Sequence, residues 1–60
     1  MPGRYELYQD TAGKYRFRLK AANYEIITVS EGYDTKEACI NGIKSVMKNA
    51  PSAEIKELEQ

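Results

Sequence analysis

The stretch Lys14-Tyr15-Arg16-Phe17-Arg18-Leu19-Lys20 decides the fold, because it alternates without a break. Tyr15, Phe17 and Leu19 project to one side and Lys14, Arg16, Arg18 and Lys20 to the other, which is the period of a strand with one buried face. On the N-terminal side, Arg4 to Tyr8 repeats the pattern, with Tyr5 and Leu7 opposed to Arg4, Glu6 and Tyr8. Between the two runs, Gln9-Asp10-Thr11-Ala12-Gly13 supplies turn formers, and Gly13 can take a positive φ at no steric cost. The pair is expected as an antiparallel hairpin over residues 4–8 and 14–20, in a register that sets Glu6 opposite Arg16.

Beyond Lys20, a three-residue loop of Ala22, Asn23 and Tyr24, built as a type I turn followed by a left-handed residue, leads into a third strand over residues 25–30. That loop places Leu19 opposite Ile27 and Phe17 opposite Val29, so that Ile26 is the one large aliphatic left outside. Tyr24 sits where glycine is favoured, and a residue carrying Cβ costs about 1–2 kcal/mol there.

Asp34 with Glu37 three residues later has the form of a capping box, with Thr35 as the competing cap. From residue 35 to 49, Cys39, Ile43, Val46 and Ala50 fall on one helical stripe with Ile40 and Met47 at its edge, opposite Glu37, Asn41, Lys44, Ser45 and Lys48. This predicts an amphipathic helix lying on the apolar face of the sheet. Gly42, at the margin of the stripe, would admit a close neighbour. Pro51 ends the helix, since the residue before proline avoids the α region. In residues 53–58, Ala53 and Ile55 alternate as in a fourth strand, while Ile55 and Leu58 also suit a helical turn; the strand is the expectation.

The expected architecture is therefore α+β, one β-β-β-α-β domain over residues 1–60. A chain of sixty residues is short for it. Apolar burial at this mass returns about as much free energy as ordering the chain consumes, and a single cysteine provides no internal disulfide, so a second copy is the natural support. Ala53, Ile55 and Leu58 are the candidate dimer contacts.

Charge and missing residue types narrow the chemistry. The formal charge is zero, yet the chain up to Lys20 carries five cations against Glu6 and Asp10, and the remainder carries four against seven carboxylates. Without histidine, Ser-His-Asp and Cys-His catalysis and most transition-metal sites lack a component. Gly13-Lys14 lacks the upstream glycine of a phosphate loop, and no dinucleotide fingerprint occurs. Cys39 lies at the centre of the apolar stripe, which favours packing over nucleophilic work. Glu6, Asp10, Glu25, Glu31, Asp34 and Glu37 fall on turns, caps or exposed faces, as solvated or capping groups do. No catalytic residue, cofactor, metal ligand or small-molecule substrate is expected.

The basic row is the one sharper feature. Lys14, Arg16, Arg18 and Lys20 recur every ~7 Å, a spacing that can follow a phosphate backbone, and they are the candidate contacts to an anion or nucleic acid. Readers of single strands carry stacking aromatics on the exposed face, whereas Tyr15 and Phe17 point to the core and Tyr8 alone shares the basic side. Neutralisation by the protein's own carboxylates, including those of the tail, is the favoured reading. With no apolar leader before Arg4 and no membrane-length apolar run, the chain is expected in the cytoplasm.

The strings YRFRLKA (15–21) and GIKSV (42–46), with Asn23, Glu25, Ile27, Ser30, Glu31, Tyr33 and Lys36, resemble the YegP-like family of small bacterial proteins of unknown function. The resemblance spans Tyr5 to about Ala50 and departs at Tyr24, where that family usually has glycine. It implies that two β-β-β-α-β units join into one assembly with exchange of their C-terminal strands; for this chain a non-enzymatic homodimer is the expectation. It supplies no catalytic residue.

Overall fold

A computed structural model describes residues 2–59. Strands β1 (Arg4–Gln9), β2 (Tyr15–Lys20) and β3 (Ile26–Val29) form an antiparallel sheet in the order β1-β2-β3, followed by helix α1 (Lys36–Asn49) and a 3-10 turn, Ala50–Ser52.

Both hairpins close with the same device. Asp10 N–H donates to Lys14 O at 2.8 Å and Gly13 N–H to Asp10 O at 3.0 Å, and Gly13 has φ 84°. In the second, Ala21 N–H donates to Glu25 O at 2.8 Å and Tyr24 N–H to Ala21 O at 2.9 Å, and Tyr24 has φ 69°. Each is a three-residue loop whose last residue is left-handed. Tyr24 thus occupies the strained position expected for it, with the Arg4 guanidinium 5.1 Å above its ring. Tyr24→Gly is expected to remove about 1–2 kcal/mol of strain and forfeit about 0.5 kcal/mol of cation–π attraction, a net stabilisation visible as a rise of a few degrees in melting temperature.

The loops set the registers, and both depart from expectation. In the first hairpin Glu6 stands opposite Arg18, and Tyr8 opposite Arg16, because Thr11, Ala12 and Gly13 alone form the loop. In the second, the loop is as expected, but a bulge follows it. Lys20 pairs with Ile26 while Leu19 pairs with Thr28, leaving Ile27 as the extra residue. The shift carries Val29 to a position opposite Arg18 instead of Phe17, and so onto the polar face. Ile26, Ile27 and Val29 are consequently all exposed, Ile27 to 61%.

After β3 the chain stays tied to β2. Ser30 N–H donates to Phe17 O at 2.8 Å, Phe17 N–H donates to the Ser30 hydroxyl at 2.9 Å, and Tyr15 and Tyr33 exchange backbone bonds at 2.8 and 2.7 Å. Thr35, and not Asp34, caps α1, its hydroxyl accepting from Ala38 N–H at 3.1 Å. Asp34 is engaged elsewhere, in an ion pair with Lys14.

The core is small. Phe17 and Cys39 are the buried hydrophobic residues, 4% and 0% exposed. The Phe17 ring stacks on Tyr33 at 6.4 Å and meets Tyr5 edge-on at 6.1 Å. Gly42 lets α1 close on this cluster, for a Cβ there would lie 2.5 Å from Tyr33 Oη and 3.4 Å from Phe17 Cε2. Residues 53–58, expected as a strand, pair with no strand of the described chain. Ile55 is fully exposed and Leu58 nearly so.

Candidate functional site: the charged face of the sheet

The face of the sheet away from Phe17 gathers Arg4, Glu6 and Tyr8 from β1 with Arg16, Arg18 and Lys20 from β2. Strand alternation puts them there, and the register decides their partners. Glu6 is the hub. Its Oε1 accepts from Arg18 Nε at 2.7 Å and lies 3.4 Å from Lys20 Nζ, and its Oε2 is 2.7 Å from an Arg4 terminal nitrogen. Arg18 also covers the Tyr8 ring, 5.0 Å from its centroid.

A second cluster lies at the hairpin end. Asp10 Oδ1 accepts from Ala12 N–H and Lys14 N–H, both at 2.9 Å, while Oδ2 accepts from Arg16 Nε at 2.6 Å. Arg16 donates in addition to Ser30 O at 3.0 Å, joining the first loop to the end of β3. All four cations proposed from sequence as anion contacts, Lys14, Arg16, Arg18 and Lys20, therefore face one or more carboxylates of the same chain. Arg4 and the hub role of Glu6 escaped sequence reading. A first loop read with the same turn chemistry as the second would have found them, since it sets Glu6 opposite Arg18.

The cations act on the carboxylates as expected. The Arg18 guanidinium, with Arg4 and Lys20, draws the Glu6 carboxyl from its usual 4.5 down to about 2. Arg16 and the backbone N–H of Lys14 lower Asp10, and Lys14 lowers Asp34, while Asp10 raises Arg16 in return. A depressed carboxylate pKa stabilises the fold above its unfolded value and loses that contribution as the pH falls through the folded one. Acid unfolding is therefore expected to begin below pH 4.5 and to run towards pH 2. Glu6→Gln is expected to lower the melting temperature at pH 7 and to flatten its dependence across that window, as measured by circular dichroism. An unaltered pH profile would remove Glu6 from the hub.

Elsewhere the chemistry is sparse. Burial pushes the Cys39 thiol up, away from the thiolate a nucleophile requires. Among the described residues, no group of three or more His, Cys, Asp or Glu side chains is placed to hold a metal ion, and no helix is long and apolar enough to cross a membrane. A cavity of about 50 Å³ lies between Pro2, Arg4, Ala21, Ala22 and Tyr24, little more than room for water.

Comparison with known proteins gives this arrangement a setting. Residues 10–57 match the family described as "Domain of unknown function (DUF1508)". The chain belongs to this family. It is 52% identical to a "UPF0339 protein" of Treponema denticola over 58 residues, covering 97% of this chain and 100% of that one. A "UPF0339 protein" of Methanosarcina acetivorans is 57% identical over 56 residues, 93% of this chain and 97% of the relative. The solution structure of a protein from Haloferax volcanii superposes with a TM-score of 0.87 at 40% identity, covering 95% of this chain and 97% of that one. The α+β fold of three antiparallel strands and a helix is thus shared, and the membership agrees with the YegP-like resemblance. Relatives occur in archaea as well as bacteria, which widens the bacterial range expected from that resemblance.

Proposed function

We infer that this DUF1508 chain works as one half of a cytoplasmic homodimer, an interaction or structural module without a catalytic step, held by exchange of the C-terminal segment. The observation that carries the reading is the unguarded edge of β3. Its sequence Ile26-Ile27-Thr28-Val29 carries no charge or proline, every residue is exposed, and its outer edge has no neighbouring strand among the described residues. Natural proteins cover or charge such edges, because they pair with other chains.

Two measures of size support it. A compact monomer of this mass exposes about 4,000 Å², and this chain exposes 5122 Å², an excess of about 1,100 Å². The radius of gyration is 13.0 Å, where a compact domain of this length has about 10.4 Å. Ile55 and Leu58 in the tail are further apolar surface that lacks cover. The lone, buried Cys39 suits a reducing compartment.

Deletion of residues 53–60 tests the reading. The shortened chain retains the sheet, α1 and the 3-10 turn, and is expected to be monomeric and to melt well below the full chain at equal concentration. A deletion variant that remains dimeric and equally heat-stable would rule out exchange of the tail.

A further inference from the structure

We propose that the charged face of the sheet is a surface for single-stranded nucleic acid, on which bases stack against two tyrosine–arginine pairs, Tyr8 with Arg18 and Tyr24 with Arg4, while the surplus cations attract the phosphates. This surface needs no second copy, because β1, which carries Arg4 and Tyr8, is the edge of the sheet opposite β3.

The aromatic count is the first argument. Strand alternation puts Tyr8 alone on the basic side, and readers of single strands use more than one ring. The second hairpin loop adds another. Tyr24 closes that loop with φ 69°, where a residue carrying Cβ costs about 1–2 kcal/mol, and the Arg4 guanidinium of β1 lies 5.1 Å above its ring. Strain of this kind gathers at binding positions, and here it holds up a ring that is 63% exposed. Further along β1, at ~13 Å from Arg4, Tyr8 lies under Arg18 with 5.0 Å between guanidinium and ring centroid.

Orientation is the second. One carboxylate fixes both guanidiniums, for Glu6 Oε1 accepts from Arg18 Nε at 2.7 Å and Oε2 from Arg4 Nε at 2.8 Å. A guanidinium held along its edge and backed by a ring has its other flat face left for a ligand, and such planes are what an unpaired base stacks on. The Arg18 and Arg4 side chains remain 36% and 56% exposed.

Charge is the third. Arg4, Lys14, Arg16, Arg18 and Lys20 share Glu6, Asp10 and Asp34, so the face keeps two unmatched positive charges. That surplus draws a polyanion in, but arginines already held by carboxylates grip a phosphate weakly. Stacking therefore has to separate a single strand from other polyanions, including a duplex, whose base faces are hidden.

Fluorescence anisotropy tests this with a labelled oligothymidylate of about ten nucleotides, at about 50 mM and about 200 mM salt, with inorganic polyphosphate and a DNA duplex as competitors. The single strand is expected to bind at the lower salt and to weaken at the higher, and both competitors to displace it at least about tenfold less well than unlabelled single strand. Two variants separate stacking from charge. Tyr24→Gly removes a ring and relieves the strained turn, so it folds at least as well as the unsubstituted chain. Arg18→Lys keeps the charge and loses the flat guanidinium. Each is expected to weaken binding about fivefold or more at the lower salt. Absence of binding at the lower salt would overturn the proposal. So would equal competition by polyphosphate or duplex, or two variants that bind as tightly as the unsubstituted chain, since the face would then attract charge alone.

Discussion

Gly42→Ala is expected to lower the melting temperature by roughly 5–20 °C, about 1–3 kcal/mol, although alanine is the better helix former by about 1 kcal/mol. In a free helix the substitution would stabilise, so the sign of the effect isolates packing. A Cβ at this position would lie 2.5 Å from Tyr33 Oη and 2.9 Å from Tyr33 Cζ, and the ring has little freedom to withdraw because it stacks on Phe17 and its backbone is bonded to Tyr15. Tyr33→Phe in the Gly42→Ala background removes the nearer contact and is expected to recover part of the loss. Gly42→Val is expected not to fold. Thermal denaturation at one fixed protein concentration reads all three, the concentration being held because association shifts the midpoint. A rise in melting temperature for Gly42→Ala would mean that the ring does not cover α1 here.

Phe17→Ala is expected to cost about 3–5 kcal/mol and to leave no cooperative urea transition, since that is most of the stability a small domain has. The effect is large because the core is small. Phe17 joins Tyr5 and Tyr33 beneath α1, and Cys39 is the other buried hydrophobic residue. Phe17→Leu, which keeps most of the volume, is expected to retain a transition at lower urea. An alanine variant that unfolded cooperatively near the midpoint of the unsubstituted chain would place the core elsewhere.

The parts of the fold legible in the sequence are those set by local chemistry. The alternation from Lys14 to Lys20, the Ala22-Asn23-Tyr24 loop with its left-handed tyrosine, and the helical stripe through Cys39 all rest on neighbouring residues. What escaped depends on distant ones. The bulge at Ile27 turns Val29 to the face of Arg18, and it belongs to the pairing of two strands rather than to the sequence of either. Asp34 has the chemistry of a cap, but Lys14, twenty residues earlier, engages it and leaves Thr35 to cap α1.

The same division holds at the charged face. Alternation announced the basic row, whereas its partners follow from one loop length, which decides that Glu6 meets Arg18 instead of Arg16. The face is a partly self-neutralised network in which Arg16 and Arg18 are already held at 2.6 and 2.7 Å by carboxylates. An external phosphate would have to compete with those contacts. The tail is the extreme case, because the strand expected there pairs with no strand among the described residues.

The unit we propose is two chains that complete one fold. Its most direct test is sedimentation of the full chain across a dilution series from high to low micromolar concentration, with the melting temperature followed in parallel. The expected result is a mass of twice 6.8 kDa at the upper end and a melting temperature that falls on dilution. A mass of 6.8 kDa throughout, with a melting temperature indifferent to concentration, would contradict it.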